Sequence, residues 1–398
     1  MPKVLQQPAF RTIWIAQFVS IFGDFLAMFA VIARITFKLH GTPQDVTLVI
    51  MALMAPLALV GPFAGVMVDR WKVKRVMIAS DLIRAVLALS LVWAHDVVPI
   101  ALLMVGIGFF SSFFGPAQSV ALRTLVPVED LLSANAVLSQ AFYAVRILSP
   151  AIAGAIVAAF GENVCFVGDG LSFAFSAAMV SRLVIERPAG HQGSVKAITH
   201  DLAEGNRFIF THRGLTFAFL ASAAAMFMMS SFSPLISIYI RDTLHAGTML
   251  YGAISSMVGV GLIAGTVLMQ RRFKDSPMVS VIVGGLAGIA AGAALLGAFR
   301  HATTTAMSTF LLGAGIAFVI VPAQTLSQRE TPHAMQGRVA STFMSLFSLA
   351  QVLGLLLSGW LATRLGIRQL FLVCGAATAL VAFASWLFLR PRPQPETA

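Results

Sequence analysis

The sequence predicts an all-α membrane protein of twelve transmembrane helices in two six-helix bundles, and three observations carry that prediction. Of its 398 residues, 58% are AVILMFWYC and only 11% are DEKR, against roughly 45–50% and about 25% in a soluble protein. Twelve crossings of about 20 apolar residues each would take up roughly 240 positions, which leaves only short connections. Finally, short motifs recur in the same order in the two halves of the chain, the mark of an internal duplication.

Cutting at charge clusters and at Pro/Gly punctuation gives the elements in order. The first apolar run begins near Thr12 and extends to about 38. It is too long for a signal-peptide core and lacks a small-residue cleavage site, so it is read as a retained first helix. Segments follow near 45–68, 76–94, 99–121, 136–160 and 164–184, and then near 214–240, 250–270, 278–298, 304–326, 339–362 and 369–389. Each is long enough to cross about 30 Å of hydrocarbon as a helix. Their apolar runs are continuous rather than alternating, which disfavours strands. Residues 1–185 form a first bundle and 214–398 a second. Between them, 186–213 is the most polar stretch, a cytoplasmic linker in which 195–210 can form a short amphipathic helix on the membrane surface.

The repeat is read from matched residues. Pro116-Ala117-Gln118 near the end of the fourth segment recurs as Pro322-Ala323-Gln324 near the end of the tenth. Pro127 matches Pro332 and Gly154 matches Gly359 at an offset of 205, and Gly61 and Gly65 match Gly261 and Gly265 at an offset of 200. On helix nine, Gly284, Gly288 and Gly292 recur every fourth residue and mark close helix packing.

The net charge of +11, from 27 Lys and Arg against 16 Asp and Glu, would suggest a nucleic-acid partner in a soluble chain. Here it specifies topology. With the amino terminus inside, most of the basic residues fall on the cytoplasmic side, and the outer side receives only Arg34, Lys38, Arg241, Arg300, Arg364 and Arg368. Both termini are then cytoplasmic, as an even number of helices requires. Cys165 and Cys374 lie far apart in apolar runs, which argues against a disulfide framework or metal cluster. No Walker loop, HExxH, GxSxG or catalytic triad is present, so no enzyme is expected, and neither a cofactor nor a bound metal.

Charges kept inside the membrane are the sharpest functional clue, because each costs about 2.5–3.5 kcal/mol at a helix centre and normally faces a cavity or a partner. Asp24 lies about twelve residues into helix one and Arg146 about ten into helix five, at similar depth. They are expected to approach each other or to share an aqueous cavity, with a static structural ion pair as the alternative. Asp169, near the outer end of helix six, suits either coupling or structural hydrogen bonding. Asp81 and Arg84, three apart on helix three, can pair on one face. No Asp or Glu occurs within a predicted helix of the second half: Met229 stands at the repeat position of Asp24 and Gln351 at that of Arg146. Coupling chemistry therefore belongs to the first half. Phe110 and Phe113 on helix four, with Met229, Gln324 and Gln351, are candidates to line a cavity for a bulky cargo, unless they simply face lipid or fill helix contacts.

The stretch Gly65-Val66-Met67-Val68-Asp69-Arg70-Trp71-Lys72-Val73-Lys74-Arg75 resembles the loop signature of the major facilitator superfamily, in which a helix-end glycine and an Asp-Arg pair precede a basic cluster between helices two and three. Physically, the glycine allows neighbouring backbones to approach. The resemblance implies that Gly65, Asp69, Arg70, Lys74 and Arg75 latch the cytoplasmic side of the outward-facing state. Lys72 stands where many members carry glycine, and the repeat copy has Met269 in place of the aspartate, so the latch is expected on one side only. Ser20–Asp24, Asp81–Arg84, Pro127–Asn135 and Pro332–Arg338 resemble the macrolide-efflux and siderophore-exporter branch. Ser20–Asp24 is also similar to bacterial lysophospholipid transporters.

These resemblances imply two bundles related by a pseudo-twofold axis along the membrane normal, with helices one, four, seven and ten lining a central cavity. They imply a proton-coupled efflux antiporter of the bacterial inner membrane, a drug-resistance type of transporter acting as a monomer on small amphipathic or hydrophobic compounds. Its partners are the cargo, protons and the bilayer. A lysophospholipid flippase and a non-transporting membrane scaffold remain the alternatives at this level.

Overall fold

The computed structural model describes residues 3–68, 70–185, 204, 206–273, 276–332 and 335–388. The helices are α1 (Pro8–Ala33), α2 (Pro43–Val68), α3 (Val73–Ser90), α4 (Val97–Leu125), α5 (Leu131–Phe160), α6 (Asn163–Ser181), α7 (Arg213–Phe232), α8 (Leu235–Asp242), α9 (Thr248–Arg272), α10 (Met278–Ala298), α11 (Ala302–Glu330), α12 (Gln336–Leu365) and α13 (Ile367–Phe388). Among the described residues, twelve helical spans are long and apolar enough to cross a membrane. The helices run past the apolar runs that announce them: α5 begins at Leu131 and α11 continues to Glu330. An apolar run marks the hydrocarbon layer, whereas the helix continues into the headgroup region.

One element differs from the sequence reading. The seventh segment, expected as a single helix to 240, breaks after Phe232 and resumes as the short α8. Pro234 lacks an N–H and its ring crowds the carbonyl of Ser230. Ser230 and Ser231 hydroxyls both donate back to the Phe227 carbonyl, at 3.0 and 2.8 Å, a pattern that bends a helix in the turn just before the break. Pro116, Pro150 and Pro322 stay inside α4, α5 and α11.

The duplication is visible in the backbone. α5 and α12 each end at a glycine in the left-handed region, Gly161 at φ 80° and Gly366 at φ 84°, and the next helix follows at once. The turns after α1 and α8 each place a histidine at positive φ, His40 at 51° and His245 at 50°. Both follow a leucine, and a Gly-Thr pair comes directly after His40 and one residue later after His245.

Two compact units form. One contains the chain up to residue 199 together with Ser233–Ser256; the other contains 200–232 and 257–398. In the first unit α1 packs on α5 and α6, α3 on α4 and α6, and α2 on α4. The segment Ser233–Ser256 is tied to these helices by polar contacts: Thr36 Oγ1 lies 3.0 Å from Ser237 Oγ, and Arg241 Nη1 donates to the carbonyls of Thr36 at 2.7 Å and Gly41 at 2.9 Å. The Tyr251 ring stacks on Phe29 with centroids 4.5 Å apart. In the second unit α7 packs on α11 and α12, and α10 on α11 and α13. The linker expected over 186–213 falls largely outside the described residues; within it, residues 206–211 are helical.

A buried charge cluster in the first unit

The cluster is assembled by close helix packing. A side chain built at Gly23 of α1 would meet Asp169 Oδ1 of α6 at 2.7 Å and Ser172 Oγ closer still, so only glycine lets α1 approach α6 here. Asp24 follows directly. On α6, Asp169 is buried, and the Ser172 hydroxyl donates to the Asp169 carbonyl at 2.8 Å while lying 3.4 Å from its Oδ1. On α3, Asp81 and Arg84 are both buried and pair through Arg84 Nη2 and Asp81 Oδ1 at 2.5 Å.

Arg84 is the hub. Its guanidinium carbon lies 4.3 Å from the centroid of the Phe173 ring and 4.6 Å from that of Phe114, so aromatic faces of α6 and α4 hold the cation. Its Nη1 reaches Ser111 Oγ at 3.5 Å. The charge of Asp24 interacts with those of Arg84 and Asp81, and that of Asp169 with those of Asp24 and Arg84. Asp81 Oδ2 and the neighbouring Ser176 hydroxyl are buried without a well-formed hydrogen bond. Of the three carboxyl groups, Asp81 pairs directly with the guanidinium, while Asp24 and Asp169 feel its charge without an ion pair among the described residues, which leaves acceptor capacity unused.

Thus the structure brings together Asp24, Asp81, Arg84 and Asp169, and it leaves Arg146 apart. Among the described residues, no ion pair links Asp24 to Arg146. The two share a depth but not a direction. Phe25 meets Phe142 of α5 edge-on, with centroids 5.7 Å apart, and Asp24, one residue earlier, is rotated by about 100° from it around α1. Arg146 is exposed on α5.

The other sequence candidates are distributed as follows. Of the loop signature, Asp69 lies outside the described residues; Arg70 and Arg75 are exposed, and Lys74 is half-buried. The close backbone approach expected at Gly65 is not made, because no atom lies within 4 Å of where its side chain would begin. Its repeat partner Gly265 does make one, against the Ala314 carbonyl at 2.8 Å. Phe113 is buried in the packed interior beneath Trp71, with ring centroids 5.9 Å apart, and Phe110 is half-buried against Phe109. In the second unit Gln351 Nε2 reaches Met226 Sδ at 4.0 Å, Met229 is half-buried and Gln324 exposed.

Sequence reasoning missed Arg34, which it counted only as a loop charge. A π-helical turn over Arg34–Lys38 carries α1 onward and buries it. Arg34 caps the end of α3 through the carbonyls of Leu91 at 2.6 Å and Ala94 at 3.0 Å, and it binds Glu162 and Asn163 at the start of α6. Glu162 also accepts from Lys38 at 2.7 Å. Partial burial opposes its ionisation, but Lys38, its own backbone N–H and Arg34 outweigh that and hold its carboxyl below the usual 4.5.

The family model of the Major Facilitator Superfamily matches residues 13–355 and 331–398. The chain belongs to that superfamily. The transporter is 28% identical to the MFS-type transporter YfiS of Bacillus subtilis strain 168, over 96% of this chain and 93% of that one. It is 27% identical to macrolide efflux protein A of Streptococcus pyogenes, over 94% of each chain. The fold is also that of the nucleoside transporter NupG in its D323A form, with a TM-score of 0.77 at 11% identity, covering 96% of this chain and 100% of the other. The transporter is a multi-pass membrane protein of that superfamily, and not an enzyme.

Proposed function

We propose that this transporter is a proton-coupled exporter of small amphipathic or hydrophobic compounds, seated in the bacterial inner membrane as a monomer with both termini in the cytoplasm. The observation that carries the reading is the cluster of buried Asp81, Asp169 and Arg84 with half-buried Asp24 across α1, α3 and α6. Three intramembrane carboxyl groups around one cation are costly for a purely structural element, since each buried charge must be compensated. They suit a site that binds and releases protons as the transporter changes state. The basic bias of the loops supports the orientation, and the efflux protein among the relatives supports the direction of transport.

The test is transport by the purified protein in liposomes carrying a pH gradient, with a luminal pH dye and an amphipathic fluorescent cargo. Wild type is expected to exchange protons for cargo, whereas Asp24→Asn transports cargo without proton movement or not at all. Unchanged coupled exchange by Asp24→Asn would remove Asp24 as a proton carrier.

A further inference from the structure

The charge cluster leaves one intramembrane ion unexplained. Arg146 lies midway along α5, exposed, and none of the carboxyl groups described above serves it. Asp24, Asp81 and Asp169 are gathered at Arg84. Glu162 is held by Arg34 and Lys38 at the far end of the helix, and Asp130, at its near end, accepts a 2.7 Å hydrogen bond from Gln7. Among the described residues, Arg146 forms no ion pair. An arginine in mid-membrane without a counter-ion is sustained by a water-filled space or by an anion that visits it.

Its surroundings on the helix are organised. At 3.6 residues per turn, Asn135, Ser139, Phe142, Tyr143 and Arg146 fall within one arc of α5 of roughly 100°, and all five are exposed. A lipid-facing helix presents apolar side chains, so a stripe holding an amide, two hydroxyls and a guanidinium faces an aqueous path. The stripe is also aromatic. Phe142 lies edge-on to Phe25 of α1 at 5.7 Å and to Tyr143 at 5.8 Å, which makes an apolar surface one helical turn from the guanidinium. A planar cation with paired N–H donors beside aromatic faces is complementary to a carboxylate or phosphate carried on an apolar body.

We propose that Arg146, with Tyr143, Phe142 and Phe25, forms a subsite for the anionic head of an amphipathic cargo. This deepens the export reading and rests on it. It assigns Arg146 to cargo rather than to protons, and it makes the cargo acidic instead of cationic or neutral. A carboxylate drug-like amphiphile and a lipid with a phosphate head share this chemistry.

Equilibrium binding to the purified protein tests the proposal without any gradient. The probes are a fluorescent amphiphile bearing one carboxylate, its methyl ester, and lysophosphatidylglycerol as competitor. Wild type is expected to bind the acid about tenfold more tightly than the ester, as a charge-assisted hydrogen bond implies. Arg146→Gln should abolish that ratio while leaving ester binding unchanged, and Arg146→Lys should keep most of it. Displacement of the acid by lysophosphatidylglycerol in wild type but not in Arg146→Gln extends the subsite to phosphate heads; displacement of the ester alone counts against it. Equal binding of acid and ester to wild type overturns the proposal and needs no variant to fold. The two readings fail separately. Loss of the export reading appears as transport insensitive to the pH gradient with the acid preference intact. Loss of the subsite appears as gradient-driven transport of neutral and cationic dyes with no acid preference.

Discussion

In the first half, Gly108 of α4 lies against the carbonyl of Leu53 on α2; in the second, Gly313 of α11 lies against that of Val258 on α9. The same two halves place histidines at positive φ after α1 and α8, and glycine caps on α5 and α12. Both halves cap their third membrane-spanning helix with an arginine, though from different helices. Arg34 does so from the end of α1, and Arg368 does so from the start of α13, donating to the carbonyls of Gly297 at 2.7 Å and Ala298 at 3.1 Å. The frame is therefore duplicated, down to single carbonyls. The buried charge is not: where the first half holds Asp24, Asp81, Arg84 and Asp169, the second offers Met226, Met229 and Gln351. Helix positions are set by small residues and backbone caps, and these tolerate very different interiors. The ionic cluster is an addition to that frame rather than part of what builds it.

The largest effect that should separate the halves is loss of the hub. Arg84→Ala strips buried Asp81 of its ion-pair partner and leaves buried Asp169 and half-buried Asp24 without a nearby cation, and should cost about 3–5 kcal/mol, whereas Gln351→Ala in the second half should stay within about 1 kcal/mol. Thermal unfolding in detergent reads both, and equal losses would dissolve the contrast. Next come the shared contacts. Gly108→Ala and Gly313→Ala press a methyl group into a carbonyl and should each cost about 1–3 kcal/mol, in both halves alike. Gly61→Ala and Gly65→Ala meet open space, so they should be neutral or stabilising by up to about 1 kcal/mol through helix propensity. A large loss at Gly65 in the same unfolding assay would mean that α2 is packed more tightly than described.

The smallest effect concerns pH. Because Glu162 has its folded-state pKa below 4.5, its stabilising contribution is complete above that value and is lost as pH falls through the folded pKa. Wild type should therefore lose thermal stability below about pH 4.5 more steeply than Glu162→Gln. Parallel pH curves would show that the Arg34, Lys38 and Glu162 group adds no pH-dependent stability.

Most of the fold is legible because a membrane span requires about 20 apolar residues and its ends collect charge. The break at Pro234 is not, since Pro116, Pro150 and Pro322 read alike in sequence and stay helical. What accompanies Pro234 is a pair of serines whose hydroxyls bond back to the Phe227 carbonyl and bend the preceding turn. Each charged member of the cluster is visible one at a time as an intramembrane ion. Their grouping is not, because residue count fixes depth and leaves the direction around the helix open. That is why Asp24 matches Arg146 by depth while its charge lies under the influence of Arg84 and Asp81 on α3. Ser172 and Ser176 share a face with Asp169 at spacings of three and seven, a signal available in the sequence. Arg34 gave no such signal, because a charge at the end of an apolar run reads as a loop residue.

Proton release on cargo binding tests the central claim most directly, measured with a pH dye in weakly buffered detergent solution. Wild type and Gln351→Ala should release protons when an amphipathic cargo is added, and the double variant Asp24→Asn, Asp169→Asn should release none while still binding cargo. Undiminished proton release from the double variant would contradict the assignment of coupling to the first-half cluster.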